Sequence, residues 1–226
     1  QINLKIPRGQ TIALIGATGS GKTSLVNLIA RVYDPREGQV LVNGQDARKW
    51  RLRDLRNQIA YSPQKITLFT GTIASNIAFG EGPTNITPAD IVKSGDVASC
   101  DFIADKEGEF AAEVAQGGSN FSGGQKQRIS IARTVARDAQ ILIFDDTFSA
   151  LDYATDLDIR GELAEIARGK TQIIVAQRIA TVREADQILV IDHGKIAARG
   201  THESLMASSK IYREIALSQL SEAELA

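Results

Sequence analysis

A glycine-rich loop near the start of the chain has residue types and spacing suited to binding phosphate. Residues Gly16–Thr23 fit the pattern G-x-x-x-x-G-K-[ST], between a short apolar stretch and a segment with helical spacing. Glycines let successive backbone N–H groups point at a β-phosphate, and the helix start adds partial positive charge. Lys22 can neutralise phosphate oxygens, and the Thr23 hydroxyl can ligate Mg²⁺. The predicted phosphate-binding residues are Gly16, Thr18, Gly19, Ser20, Gly21, Lys22, Thr23 and Ser24.

A second chemical pattern is a pair of carboxylates that follows an apolar stretch. Asp145 ends the run Ile141–Phe144, where a carboxylate can hold a Mg²⁺-bound water beside a phosphate loop. Alone, the same pattern favours a helix-capping aspartate, but the upstream loop favours the metal role. Asp146 comes next, where a general base could polarise an attacking water.

Composition narrows the classes of protein that fit. The chain has 226 residues, 43% of them hydrophobic and 23% charged, which predicts one compound globular domain. The net charge is 26 − 27 = −1 and the basic residues are dispersed, which argues against a nucleic-acid partner. The single cysteine, Cys100, excludes an internal disulfide and indicates a reducing compartment. We find no run of the ~18–20 apolar residues that a membrane helix needs. Because the chain begins Gln1-Ile2 without Met or leader, we expect a segment of a longer protein.

Alternating strand and helix patterns must position these groups. Apolar strands that alternate with helices predict a parallel sheet, and between them lies a stretch with almost no strand signal. The predicted strands are Gln10–Ile15, Gln39–Val42, Ile59–Tyr61, Ile141–Phe144, Gln172–Val175 and Gln187–Ile191. The predicted helices of the middle stretch are Ile73–Phe79, Pro88–Ser99 and Gly124–Arg137. We therefore expect residues 1–71 and 138–226 to form an α/β core, with 72–137 as an inserted helical subdomain.

The stretch Phe121–Arg128, with the letters FSGGQKQR, resembles the signature of ATP-binding cassette (ABC) proteins. The resemblance implies that Ser122, Gly123, Gly124 and Gln125 contact ATP. These groups lie at a helix start, where they can offer a hydroxyl, N–H groups and a dipole to a γ-phosphate. Because they cannot bend onto their own phosphate loop, a second subunit must supply the other half of each site.

Further stretches match the family in order along the whole chain. Tyr61–Gln64 resembles the Q-loop, Gln116–Gly118 the X-loop and Ser149–Asp152 the D-loop, while Leu68–Ile73 and Leu217–Glu222 are similar to exporter sequences. The resemblance implies a P-loop NTPase with a RecA-like, mostly parallel sheet and a truncated antiparallel β part at the N-terminus. It also implies ATP and Mg²⁺ as cofactors, with Thr23, Gln64 and Asp145 serving the metal.

Two residues depart from the family pattern. Asp146 stands where the family usually has a catalytic Glu, and Gln177 stands where the switch loop usually has a His. Glutamine keeps a hydrogen-bonding amide but cannot become cationic. The two histidines of the chain, His193 and His202, fall in a turn and at a predicted helix start. The paired departure resembles the degenerate-site subunit of heterodimeric multidrug-type exporters, with Asp146, Gln177 and Gln64 facing the chemistry.

The resemblance also implies partners and a location. We expect a second, non-identical ABC domain with the consensus Glu and His, and a transmembrane domain, at the cytoplasmic face of the cell membrane. The family's adenine-stacking aromatic is expected to lie before this chain. Four alternatives stay open: a homodimeric exporter ATPase with two slow sites, a soluble ABC ATPase without a transport role, an importer subunit, and a regulatory ATP-binding module without hydrolysis.

Overall fold

A six-stranded sheet organises the chain, in a computed structural model that describes residues 2–80 and 85–219. Its strands are β1 (Thr11–Ile15), β4 (Ile59–Ser62), β7 (Ile141–Asp145), β8 (Thr171–Val175), β9 (Gln187–Asp192) and β10 (Lys195–Gly200). The spatial order is β10-β9-β1-β8-β7-β4, and only the edge strand β10 runs antiparallel to its neighbour. The predicted, mostly parallel sheet is therefore present. The turn predicted at His193 joins β9 to β10.

The inner strands β1, β7 and β8 are buried along almost their whole length because both faces of the sheet are covered. In β1, Ile12 and Leu14 belong to one hydrophobic cluster, whereas Ala13 and Ile15 belong to another. This alternation follows from the two-residue period of a strand. Two cores, one on each face, fix the strand register and therefore fix which residues stand at the strand ends.

Helices connect and cover the strands of the sheet. They are α1 (Lys22–Ile29), α2 (Leu52–Gln58), α6 (Tyr153–Ile166), α7 (Ile179–Val182), α8 (His202–Ser208) and α9 (Lys210–Leu217). The antiparallel pair β2 (Leu41–Val42) and β3 (Gln45–Asp46) lies near the N-terminus, where the sequence predicted an antiparallel part. Within the described residues, none of the helices combines the length and apolar character that crossing a membrane requires.

The inserted stretch 72–137 contains the three helices that the sequence predicted there. They are α3 (Ile73–Ile77), α4 (Pro88–Val97) and α5 (Gly123–Ala136). The side chains of Thr72, Thr87 and Ser122 form a capping box at each helix start. Helix α5 starts one residue before the prediction because Ser122, not Gly123, is its N-cap. A short pair, β5 (Gly71–Thr72) with β6 (Glu113–Val114), closes the base of the insert and was not predicted.

Candidate nucleotide site

The glycine-rich loop joins β1 to α1, and two of its glycines are required by its geometry. Gly16 has φ 153°, and a Cβ there would overlap the carbonyl oxygen of Ile191. Gly21 caps α1 in the left-handed region, with φ 103°. Substitution at either position would strain or displace the backbone. The loop therefore keeps its shape only with these glycines, as the phosphate-binding prediction requires.

Lys22 lies folded under this loop. Its Nζ donates hydrogen bonds to the carbonyl oxygens of Gly16, at 2.7 Å, and Ala17, at 2.9 Å. Burial lowers the pKa of Lys22, while the negative charges of Asp146 and Asp145 act in the opposite direction. The ammonium group is thus held inside the loop, close to both carboxylates, where an incoming phosphate can replace the carbonyl partners.

The register of the sheet brings Asp145 to the loop. Asp145 is the last residue of β7, is fully buried, and accepts a 3.0 Å hydrogen bond at Oδ1 from the Thr23 hydroxyl. Tyr61 in β4 donates a second 3.0 Å bond to Oδ2 of the same carboxylate. Burial raises the pKa of Asp145, and the bonds from Tyr61 and Thr23 partly offset that rise. A hydroxyl and a carboxylate oxygen side by side are ligands that fit Mg²⁺, which keeps few protein ligands and several waters.

Asp146 lies at the next position, beyond the carboxyl end of the strand. Asp145 pairs with Val175 in β8, and the Asp146 N–H donates to the Val175 carbonyl at 2.8 Å. The segment that follows β8 therefore returns to Asp146, and the Gln177 Nε2 donates to Asp146 Oδ2 at 2.9 Å. Gln64 Nε2 donates to the same oxygen at 3.3 Å. The three residues predicted to face the chemistry are brought together around one carboxylate oxygen.

The Gln64 side chain contacts Asp146, next to the other two predicted metal ligands. Among the described residues, no hydrogen bond connects the Gln64 side chain to Thr23 or Asp145. The Thr23 hydroxyl donates to Asp145 Oδ1. Of the three predicted metal ligands, two are therefore adjacent and the third lies on the neighbouring carboxylate.

The predicted signature residues are at the start of α5, in the helical insert. The Ser122 hydroxyl accepts from the Gln125 N–H at 3.2 Å, and Gln125 Oε1 accepts from the Ser122 N–H at 3.0 Å. A side chain added at Gly123 would meet open space, whereas at Gly124 it would contact the Ala150 carbonyl. Within 2–80 and 85–219, no hydrogen bond joins this helix start to the loop around Lys22. The two predicted phosphate-binding elements therefore belong to different parts of the fold, one at the start of α1 and the other at the start of α5 in the helical insert.

Comparison with known proteins agrees with this geometry. A sequence model described as "ABC transporter" matches residues 1–149, about two thirds of the chain. The chain belongs to the ABC transporter family. It is an ABC ATPase domain, and its α/β P-loop fold, with a mostly parallel sheet and a helical insert, confirms the predicted fold class.

Relatives of the ABC domain include a lipid A-core flippase and an uncharacterised protein. It is 45% identical over 96% of its length to an uncharacterised ABC transporter ATP-binding protein of Mycobacterium tuberculosis. It is 40% identical over 98% of its length to an ATP-dependent lipid A-core flippase of Pectobacterium atrosepticum. The chain spans 38% of the length of both relatives.

A solved structure also resembles the ABC domain closely. It is that of a bacterial Atm1-family ABC exporter with ATP bound, with a TM-score of 0.90 and 36% identity. The likeness covers 95% of this chain and 38% of that one.

Three side chains of the ABC domain contact the site without having been predicted to do so. Tyr61 was noted only as part of the Tyr61–Gln64 match, yet its hydroxyl contacts Asp145. Arg178 donates to the carbonyl oxygens of Ser149, at 2.8 Å, and Leu151, at 3.1 Å. Gln219 contacts the backbone on either side of Arg178. For Gln219 the sequence carries no local signal, because the contact spans about forty residues. For Tyr61 the alternation along β4 was a usable signal.

A groove of about 650 Å³ lies between the sheet core and the helical insert of the ABC domain. Its apolar lining includes Leu52, Phe69 and Phe79, and the phenyl rings of Phe69 and Phe79 stack with centroids 4.1 Å apart. Its basic lining residues are Arg53, Arg56, Lys65, Arg133 and Arg137. The groove is therefore an apolar depression with a strongly positive surround, and it is separate from the glycine-rich loop.

Proposed function

We propose that this chain is the nucleotide-binding domain of an ABC exporter, in the subunit whose own ATP site hydrolyses slowly. On this view it binds Mg-ATP through the loop around Lys22, and its partner site does most of the turnover. The observation that carries the proposal is the 2.9 Å hydrogen bond from Gln177 to Asp146, which joins both departures from the family pattern.

Binding requires the loop, the lysine and a metal-ligand pair. The phosphates would be held by Gly16, Thr18, Gly19, Ser20, Gly21, Lys22, Thr23 and Ser24. The adjacent oxygens of Thr23 and Asp145, 3.0 Å apart, support a Mg²⁺ role for these two residues, with Gln64 joining them when nucleotide is bound. Bound Mg²⁺ would neutralise charge on the β- and γ-phosphates. These residues carry no departure from the phosphate-loop pattern.

Hydrolysis requires a base within reach of the attacking water and a placed γ-phosphate. Asp146 is one methylene shorter than the usual Glu, and its Oδ2 already accepts bonds from Gln177 and Gln64. A carboxylate engaged in this way is a weaker acceptor for a water proton. Gln177 can donate a hydrogen bond to a γ-phosphate but, unlike histidine, cannot add positive charge there. Slow hydrolysis with ordinary binding follows.

The signature face supports a second ABC domain as partner. Ser122, Gly123, Gly124 and Gln125 would act on ATP held by that partner, because they are separate from this chain's own loop. Their pattern is intact, so the partner's site would be competent if it carries Glu and His. A partner identical to this chain would instead give two slow sites.

A membrane partner is supported by the groove and by the relatives. The groove offers apolar side chains such as Leu52 and Phe79 to a helix end from a transmembrane domain, and its basic surround suits an acidic residue there. The exporter relatives favour this reading over an importer subunit or a soluble ATPase. The domain would then lie at the cytoplasmic face of the membrane.

The proposal is tested on the full-length protein in the assembly it forms. Azido-ATP labelled at the α-phosphate is photocrosslinked to this chain after increasing incubation times with Mg²⁺, and the label is read as ATP or ADP. We expect this chain to carry mostly ATP while bulk hydrolysis proceeds. The matched control is the Asp146→Glu/Gln177→His variant, in which the label should convert to ADP faster.

Three outcomes separate the alternatives. Rapid conversion to ADP on the unaltered chain would overturn the slow-site proposal. Slow conversion in an assembly of identical chains would favour the homodimer with two slow sites. Complete absence of ADP, even after many bulk turnovers, would favour a regulatory module over slow catalysis.

A further inference from the structure

The side chain of Gln219 joins the C-terminal part of the chain to the segment that carries Gln177. Its Nε2 donates to the Gln177 carbonyl oxygen at 2.7 Å, and its Oε1 accepts from the Ile179 N–H at 2.9 Å. One primary amide thus bonds to a C=O and an N–H that lie two residues apart. This is the pairing that a neighbouring strand would supply, made here by one side chain.

The bond from Gln219 satisfies the Ile179 N–H, which has no acceptor within its own helix. Ile179 is the first residue of α7, and the first N–H groups of a helix have no intrahelical acceptor. The N-cap residue, Arg178, makes no side-chain cap bond. Gln219 therefore caps α7 from a distance, and the Ile179 amide depends on it for protection from solvent exchange.

Gln219 follows a helix that is packed firmly on the core. This helix is α9, which is fixed to the core by Tyr212 and Ala216, both fully buried. The Tyr212 hydroxyl lies 2.8 Å from Nδ1 of His202 in α8. Gln219 itself is exposed, but its backbone N–H closes the last turn of α9 on the Ala216 carbonyl at 3.0 Å. The amide is therefore presented from a rigid element.

The segment held by Gln219 makes the contacts that bear on the nucleotide site. Gln177 contacts Asp146 through its side chain, and Arg178 contacts the carbonyls of Ser149 and Leu151 through its guanidinium group. Gln177 supplies the carbonyl oxygen that Gln219 bonds, and Arg178 lies between this carbonyl and the Ile179 N–H. Loss of the Gln219 amide would free the backbone at the point from which the Gln177 side chain reaches Asp146.

We propose that Gln219 is a positioning residue of the nucleotide site. By holding the Gln177 carbonyl and the Ile179 N–H, it fixes the backbone from which the Gln177 amide can leave Asp146 for a γ-phosphate, a move that frees the carboxylate and supports the phosphate together. Gln219 thereby bears on the hydrolysis rate of this site through Gln177. This inference rests on the proposed function for its effect on hydrolysis, but the backbone clamp can be tested independently.

The clamp is tested by hydrogen–deuterium exchange of the full-length protein, with overlapping peptides that isolate the Ile179 amide. Gln219→Ala removes both bonds, so the Ile179 amide should exchange about tenfold faster or more. Gln219→Glu keeps an acceptor oxygen for the Ile179 N–H, so that amide should stay protected while the bond to the Gln177 carbonyl is lost. Arg213→Ala, an exposed change in the same helix, is the control and should leave the exchange unchanged.

The positioning role is tested by the crosslinking assay for ATP on this chain. Both Gln219 variants should slow its conversion to ADP by about 2- to 10-fold, the size of one or two neutral hydrogen bonds, with the affinity for ATP unchanged. In a Gln177→Ala background, Gln219→Ala should have no further effect, because the two residues act through one contact. Arg213→Ala should behave as the unaltered protein.

Defined results would overturn the inference. They are an Ile179 amide that exchanges equally in Gln219→Ala and the unaltered protein, a conversion rate that neither variant changes, or an equal slowing in the Gln177→Ala background. Loss of ATP affinity together with slowed conversion in both variants would also overturn it, since that pattern reports general distortion. Fast conversion on the unaltered chain would instead overturn the proposed function, and the exchange experiment would still decide the clamp.

Discussion

The side-chain amide of Gln177 donates a 2.9 Å hydrogen bond to Oδ2 of Asp146, so the two unusual residues of the site contact each other. Each bears on the other's chemistry. The amide hydrogen bond makes the Asp146 carboxylate a weaker proton acceptor, and the carboxylate holds the Gln177 amide away from other acceptors. Their substitutions should therefore be coupled, since contacting residues are commonly non-additive.

Asp146→Glu and Gln177→His are expected to accelerate hydrolysis only together. The longer carboxylate reaches toward the attacking water, and the imidazole can support the γ-phosphate while a carboxylate orients it. Each single variant should change the rate at this site by less than about threefold, and the double variant should raise it roughly tenfold or more. The measurement is conversion of crosslinked ATP on this chain, with the partner's general base removed. A parent protein that already matches the double variant would contradict the prediction.

Lys22→Ala should weaken ATP binding by about 10- to 100-fold. The ammonium group now bonds the carbonyls of Gly16 and Ala17, and its replacement removes a charge-assisted partner for the phosphates. Equilibrium titration with a fluorescent ATP analogue measures the change. Lys210→Ala, an exposed lysine in α9, is the matched control. Unchanged affinity in Lys22→Ala would show that the loop is not the nucleotide site.

Gly123→Asp should leave ATP binding by this chain unchanged but stop hydrolysis in the assembly. The position is exposed and a side chain there meets open space, so the fold should tolerate it, while the carboxylate would repel phosphate held by the partner. Gly161→Asp, an exposed helical glycine with equally open surroundings, is the control. Ser122→Ala is a less clean probe, because it also removes the α5 cap, which costs about 1 kcal/mol. Equal effects of the two glycine variants would contradict a cross-subunit site.

Cys100 should resist alkylation in the folded protein. The thiol is buried, and burial raises its pKa to about 12, so the reactive thiolate is scarce at pH 8. The thiolate fraction of the folded protein rises with pH. At pH 8 it is about a thousandfold lower than that of the unfolded chain. Mass spectrometry of the Cys100 peptide after iodoacetamide treatment, with and without urea, measures this. Equal labelling in both conditions would contradict the prediction.

The parts of the site that could be predicted from sequence are those whose residues lie in one short sequence pattern. Lys22 and Thr23 stand at fixed spacing in one loop, and Asp145 ends an apolar strand. Because the carboxyl ends of parallel strands lie at one edge of the sheet, the contact between the loop and Asp145 could be predicted. The contact of Gln64 with Asp146 could not be predicted, because it depends on the path of the loop after β4. Gln219 was beyond reach for a further reason: only the packing of α9 through Tyr212 brings it to Gln177.

Tyr61→Phe should weaken the Mg²⁺-dependent part of ATP binding. The change keeps the ring in β4 but removes the O–H that donates to Asp145 Oδ2 at 3.0 Å. The buried carboxylate then loses one of two donors, which leaves it less fixed and raises its pKa further above the usual range.

Because a protonated Asp145 cannot ligate Mg²⁺, metal-dependent affinity is lost as the pH falls through this pKa, and the variant should lose it at a higher pH. At neutral pH we expect a decrease of about 2- to 10-fold with Mg²⁺ and none with EDTA. Titrations with and without Mg²⁺ across pH, beside the exposed control Tyr153→Phe, measure this; an equal decrease under both conditions would assign Tyr61 a packing role instead.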